Sequence, residues 1–177
     1  IIDGFSIIKG KSYYGGGMTI RSCDFLKINN CSISANYSDR WVPESNGPEM
    51  PYGGSGGGIL LADSNALITN TLFRGNYAES SGAAIELEAS TVNIMNCIFT
   101  RNSSNSFLIV KSGSFKDHDN PPFTTSHITN SIIWDNDGSS IRGSCIRSFN
   151  CIEGTAEENG NINADPLFAN AQNGDYR

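Results

Sequence analysis

The chain has 177 residues, of which 19 are Gly and only 17% are charged, with a net charge of −6. That length holds one ordinary domain with a continuous core. Twelve scattered Lys and Arg make no basic face, which excludes a nucleic-acid partner and an anionic membrane surface, and no apolar run reaches the length of a membrane span.

Gly, Asn, Ser or Thr interrupts nearly every window, so no amphipathic helical stretch exceeds two turns and the composition predicts an all-β chain. The first element is IDGFSIIKG (2–10), followed by GGGMTIR (15–21) and INNCSISAN (28–36). A Pro-containing stretch, 37–55, comes next, then GGGILLA (56–62), ITNTLFRGN (68–76), GAAIELE (82–88) and IMNCIFTRN (94–102). The chain continues with NSFLIVK (105–111), a second irregular stretch at 112–125, ITNSIIWDN (128–136) and the worn copy SFNCIEG (148–154).

These phrases are copies of one pattern: Ile, any residue, Asn, two more, Ile or Phe, two more, Asn. Such self-similarity is the signature of a solenoid, and it predicts a single parallel β-helix domain of about six coils over 1–177, expected to be part of a longer chain. Asn30, Asn70, Asn96, Asn130 and Asn150, with Gly4, are expected to mark one tight turn, because Asn and Gly tolerate left-handed backbone. Asn36, Asn76, Asn102 and Asn136, with Gly10, are expected to mark a second, with stacked amides bonding along the column. Between the turns, alternation places Met18, Ile59, Ile85 and Leu108 in one inward column and Ile20, Leu61, Leu87 and Val110 in another.

Successive first-turn positions, from Gly4, lie 26, 40, 26, 34 and 20 residues apart. The two enlarged spacings locate insertions at 37–55 and 112–125, where a solenoid builds its binding surfaces. In the first, Tyr37, Trp41 and Tyr52 can stack on sugar rings while nearby carboxylates bond hydroxyls. In the second, Asp117, Asp119 and Asn120 offer oxygen ligands at alternate positions, the donor type that Ca²⁺ takes. The outward column Arg21, Ala62, Glu88, Lys111 and Arg142, with Lys116 and His118 nearby, supplies the base and cations that a polysaccharide lyase needs; a cross-coil Glu88–Lys111 ion pair is the simpler alternative. Five cysteines show no paired metal-ligand spacing and read as small buried ladder residues, a local Cys145–Cys151 bridge being the alternative.

GGGI (56–59) with GAAI (82–85), and FRGN (73–76) with FTRN (99–102), resemble the paired short repeats of polymorphic outer-membrane proteins. The opening IIDGFSIIKG and closing GNINADPLFANAQNGDYR are similar to phrases of secreted bacterial right-handed β-helix repeat proteins of the pectin-lyase-like superfamily. The resemblance implies a right-handed parallel β-helix at or outside the bacterial surface. Its role would be binding, adhesive or structural, with a polysaccharide, a surface glycan or neighbouring copies of itself as partner. A polysaccharide lyase or glycoside hydrolase acting on an acidic polysaccharide is the alternative that the same resemblance carries. A head-to-tail extracellular filament, growing from the apolar Ile1 end, is a further one.

Overall fold

A computed structural model describes residues 1–39, 53–112, 125–143, 145–155 and 157–176. Three parallel sheets form the solenoid, the first two taking one strand from each of six coils and the third one strand or a pair of short strands from each of the first five. The first face stacks Ile2–Asp3, Leu26–Asn29, Asn65–Thr69, Thr91–Met95, Ser126–Thr129 and Cys145–Ser148. The second stacks Ser6–Ile8, Ser32–Ser34, Leu72–Arg74, Ile98–Thr100, Ile132–Trp134 and Cys151–Ile152. On the third face the first three coils each contribute two short strands: Lys11–Ser12 with Met18–Arg21, Tyr37–Ser38 with Ile59–Ala62, and Tyr77–Ala78 with Ile85–Glu88. The fourth crosses it in one run, Ser103–Ser112, and Asp137–Arg142 pairs below. The six coils and the all-β parallel architecture expected from the repeats are therefore present.

Strand pleat turns every second side chain inward, and identical registers stack like on like. Ile28, Ile68, Ile94 and Ile128 form one buried column on the first face. Ile33, Phe73, Phe99, Ile133 and Ile152 form another on the second, where the Phe73 and Phe99 rings stack at 4.7 Å. Each such side chain contributes about 1.5–3 kcal/mol by leaving water, so the stack is stable only as a whole.

The two Asn columns divide the work of turning. Asn30, Asn70, Asn96 and Asn130 take left-handed φ between 49° and 54° and, with Gly4 at 72°, lie exposed at the corner between the first and second faces. Asn36, Asn76 and Asn102 are buried instead, and the left-handed residue is the one before each: Ala35, Gly75 and Arg101. Their amides form the expected ladder. Asn36 N–H donates to Asn76 Oδ1 at 3.1 Å, Asn76 N–H to Asn102 Oδ1 at 3.0 Å and Asn102 N–H to Asn136 Oδ1 at 3.0 Å.

Asn150 departs from its expected place. The last coil pairs Thr129 with Ser148, so Phe149, at φ 57°, occupies the first-turn position and the final spacing is 19 residues. Asn150 sits one place on, in the column of Cys31, Thr71, Cys97 and Ser131, where its buried Oδ1 accepts from Ser131 N–H at 2.9 Å. The inward column of the first face likewise ends on a polar residue, because Ile128 is opposite Arg147. Below it, Asn161 accepts from Asn150 N–H at 3.1 Å and donates to Arg147 O at 2.9 Å. The segment beyond Ile162 returns up the solenoid, bringing the Tyr176 ring 5.7 Å from the Arg74 guanidinium and 5.0 Å from the Phe168 ring.

All five cysteines are free thiols, so no Cys145–Cys151 bridge forms. Cys31 and Cys97 are buried, as expected, whereas Cys23, Cys145 and Cys151 are only half-buried.

Candidate functional site

The outer surface of the third face carries a set of aromatic and charged groups. Its first half is a short column in which Lys11, Tyr37, Tyr77 and Ser103 are successive register partners. Alternation puts all four side chains outward, while Ser38 and Ala78 beside them are buried. The Tyr37 and Tyr77 rings stack at 4.6 Å with an interplanar angle of 15°, and Lys11 Nζ lies 5.2 Å from the Tyr37 ring centre. Two residues along each strand come the acids: Asp39, which holds Lys11 Nζ at 3.7 Å, and Glu79. Burial, the neighbouring Tyr37 ring and the charges of Glu79 and Asp39 push the Tyr77 phenol above its ordinary pKa.

The glycine runs make this platform possible. A Cβ on Gly57 would stand 2.3 Å from Tyr77 O, and one on Gly16 would stand 2.6 Å from Tyr37 O. The chain thus passes directly behind the two tyrosines only because those positions lack side chains.

The second half of the face differs from the expected outward column. Arg21, Ala62 and Glu88 are indeed partners, but the next residue in that column is Ser112. Lys111 is opposite Leu87, and Arg142 is opposite Val110 in the column of Thr19, Leu60 and Glu86. The cause is a one-residue slip: Ile109, not Leu108, is the partner of Ile85, and a slip of one exchanges the faces of every following residue. The run Phe107–Val110 is apolar throughout, so its sequence holds no alternation to fix register, and Leu108 and Ile109 are both buried. Glu88 and Lys111 are consequently not register partners. Glu86 is buried, although it points away from the core, and accepts from Ser81 Oγ at 2.9 Å. Tyr14, edge-on to Tyr13 at 4.6 Å, has its phenol pKa raised by burial first, then by Tyr13 and Glu88.

Tyr37 is the one expected sugar-stacking residue within the described structure, and its partner Tyr77 escaped the sequence argument. The signal was available: Asn36-Tyr37 and Asn76-Tyr77 occur at the same place in successive copies. Residues 37–39 and 53–55 belong to the coil itself, since Tyr37 pairs with Tyr77 and Ser55 bridges to Tyr14 and Ser81. Trp41, Tyr52, Lys116, Asp117, His118, Asp119 and Asn120 lie outside the described residues. Among the described residues no cluster of three or more His, Cys, Asp and Glu could hold a metal ion, and no helix is long and apolar enough to cross a membrane.

Three parallel sheets with an internal Asn ladder define a β-helix repeat protein. The family described as right-handed β-helix region matches residues 2–162, and the chain belongs to it. No curated protein and no solved structure matches it significantly.

Proposed function

We propose that this chain is an extracellular, glycan-binding β-helix module whose binding surface is the Tyr37–Tyr77 platform. The observation that carries the reading is the stacked ring pair with Asp39 and Glu79 two residues further along each strand, on a half-exposed strip. A pyranose has an apolar C–H face and a hydroxyl rim. The ring face of Tyr77 turned toward Ser103 suits the first, and the two carboxylates accept hydrogen bonds from the second. Tyr37 contributes its edge and hydroxyl, because Lys11 and Tyr77 cover its two faces. The resemblance to secreted bacterial β-helix proteins supports a surface location.

Calorimetric titration with a panel of neutral and acidic polysaccharides tests the reading. Binding by the native chain, weakened at least about tenfold in Tyr77→Ala (about 1.4 kcal/mol), is the expected result. A native chain that binds none of the panel, or a Tyr77→Ala chain that binds equally well, overturns it.

A further inference from the structure

The corner between the first and second faces changes character at the last coil. In the five coils above, Gly4, Asn30, Asn70, Asn96 and Asn130 occupy the left-handed corner position. The sixth places Phe149 there, at φ 57° and 69% exposed. A bulky side chain in that conformation is a genuine outlier, and exposure of the ring forgoes the burial that would ordinarily justify a Phe. Residues held in this sparsely populated region cluster at active sites, ligand clamps and switch regions.

A second observation lies beside it. An open depression of about 300 Å³ is lined by the Phe149 ring, Ile132, Cys151, Ile162, the Gly160 backbone and Asn130. Ile132, Cys151 and Ile162 form one strip, Cys151 being the partner of both neighbours. Ile162 is 51% exposed. Phe149 is held in place from below, because a Cβ on Gly160 would lie 2.5 Å from its Cδ1. Above it stands the exposed Asn130 amide. The equivalent Asn70 and Asn96 amides donate up the column, to Asn29 Oδ1 at 2.9 Å and Asn70 Oδ1 at 3.4 Å, whereas those of Asn30 and Asn130 have no hydrogen bond among the described residues.

An aromatic ring, an apolar strip and one free amide with both a donor and an acceptor match a small ring that is apolar on one side and hydroxylated at its rim. Exposed Glu157 and Glu158 in the turn before Gly160 make the surroundings acidic, which disfavours an anionic ligand. From these features we infer that the Phe149–Asn130 corner is a second ligand site, separate from the third face, that takes one neutral pyranose unit of a glycan. The C–H face of the sugar lies on Phe149 and Ile162, and its hydroxyls bond the Asn130 amide.

The test is a ¹⁵N correlation spectrum of the chain titrated with the methyl glycosides of glucose, galactose and mannose, and with glucuronate as the charged comparison. Neutral glycosides should shift the Asn130 side-chain amide together with Cys151, Gly160 and Ile162, with little dependence on salt. Phe149→Asn, which restores the residue type of the other corners, should keep the thermal midpoint and weaken binding at least tenfold. Three results overturn the proposal: no shifts with any neutral glycoside, undiminished binding by Phe149→Asn, or a preference for glucuronate. Shifts confined to Tyr37 and Tyr77 also overturn it while leaving the third-face reading intact.

Discussion

Asn76 donates twice to one atom of Asn102: its backbone N–H and its Nδ2 reach Asn102 Oδ1 at 3.0 and 2.9 Å. The same Nδ2 also donates to Ile33 O at 2.8 Å, and Asn76 Oδ1 accepts from Asn36 N–H and Nδ2. One wholly buried amide therefore satisfies polar groups in three successive coils.

Removing that amide should be costly. Asn76→Ala leaves Asn36 N–H, Asn36 Nδ2 and Ile33 O without this partner, and each orphaned buried group costs about 1–3 kcal/mol. A loss of about 3 kcal/mol or more in urea unfolding is expected. Asn76→Asp should do no better at neutral pH, because a carboxylate cannot donate to Ile33 O. A loss below about 1 kcal/mol in either variant would contradict the ladder as the main satisfier of this turn.

The stacked tyrosines should couple measurably. Ring pairs in this geometry are worth about 0.5–1.5 kcal/mol beyond burial. A double-mutant cycle of Tyr37→Ala and Tyr77→Ala on unfolding free energy should give a coupling in that range, since each ring's contact with the other is lost in either single variant. Additive effects would show that the stack does not stabilise the fold.

Cys97 should be chemically silent and its effect on stability should depend on pH. Burial pushes its thiol up to about 11 from an ordinary value of 9.0, against the smaller lowering effect of the Thr71 and Met95 backbone. At pH 8 only about one thiol in a thousand is ionised, so native-state alkylation should be far slower than in urea. A group with a raised folded pKa contributes stability fully below its unfolded value and loses it as pH climbs to the folded one. The window is therefore pH 9 to 11, and the contribution lost is about 2–3 kcal/mol. Cys97→Ser should fold, because Thr71 and Ser131 occupy the same column, and should flatten that part of the pH–stability curve.

Tyr176→Phe should stabilise. The Tyr176 hydroxyl is buried with no hydrogen-bond partner among the described residues, while its ring packs against Phe168 and Arg74. Deleting the orphaned group keeps the ring contacts and should raise unfolding free energy by about 1 kcal/mol. A decrease would mean that the hydroxyl is satisfied in solution.

Most of the solenoid was legible because its signal repeats: one Asn is weak, but Asn36, Asn76, Asn102 and Asn136 at one place in four copies specify a ladder. Legibility failed where repetition did. Phe149 carries the corner without an Asn, so Asn150 beside it drew the alignment one place too far. Phe107–Val110 has no alternation, so its register came from the strands above rather than from its own residues. The platform was half legible, since Tyr37 stood out for its neighbours in the insertion whereas Tyr77 lay inside a regular copy. What sequence could not reveal at all was the exposed Phe149 corner, which depends on Gly160 arriving beneath the ring.

The Arg147 position ends the apolar column of the first face. Every interior coil presents the same apolar columns above and below, so one more copy of the 70–96 repeat could be spliced between Asn96 and Asn130 without disturbing its neighbours. A copy appended after Phe149 would have to bury a guanidinium in the Ile column. The stack can therefore be lengthened from within, and each spliced coil would move the Phe149 corner roughly 4.8 Å further from the tyrosine platform, making their separation an adjustable dimension of the scaffold.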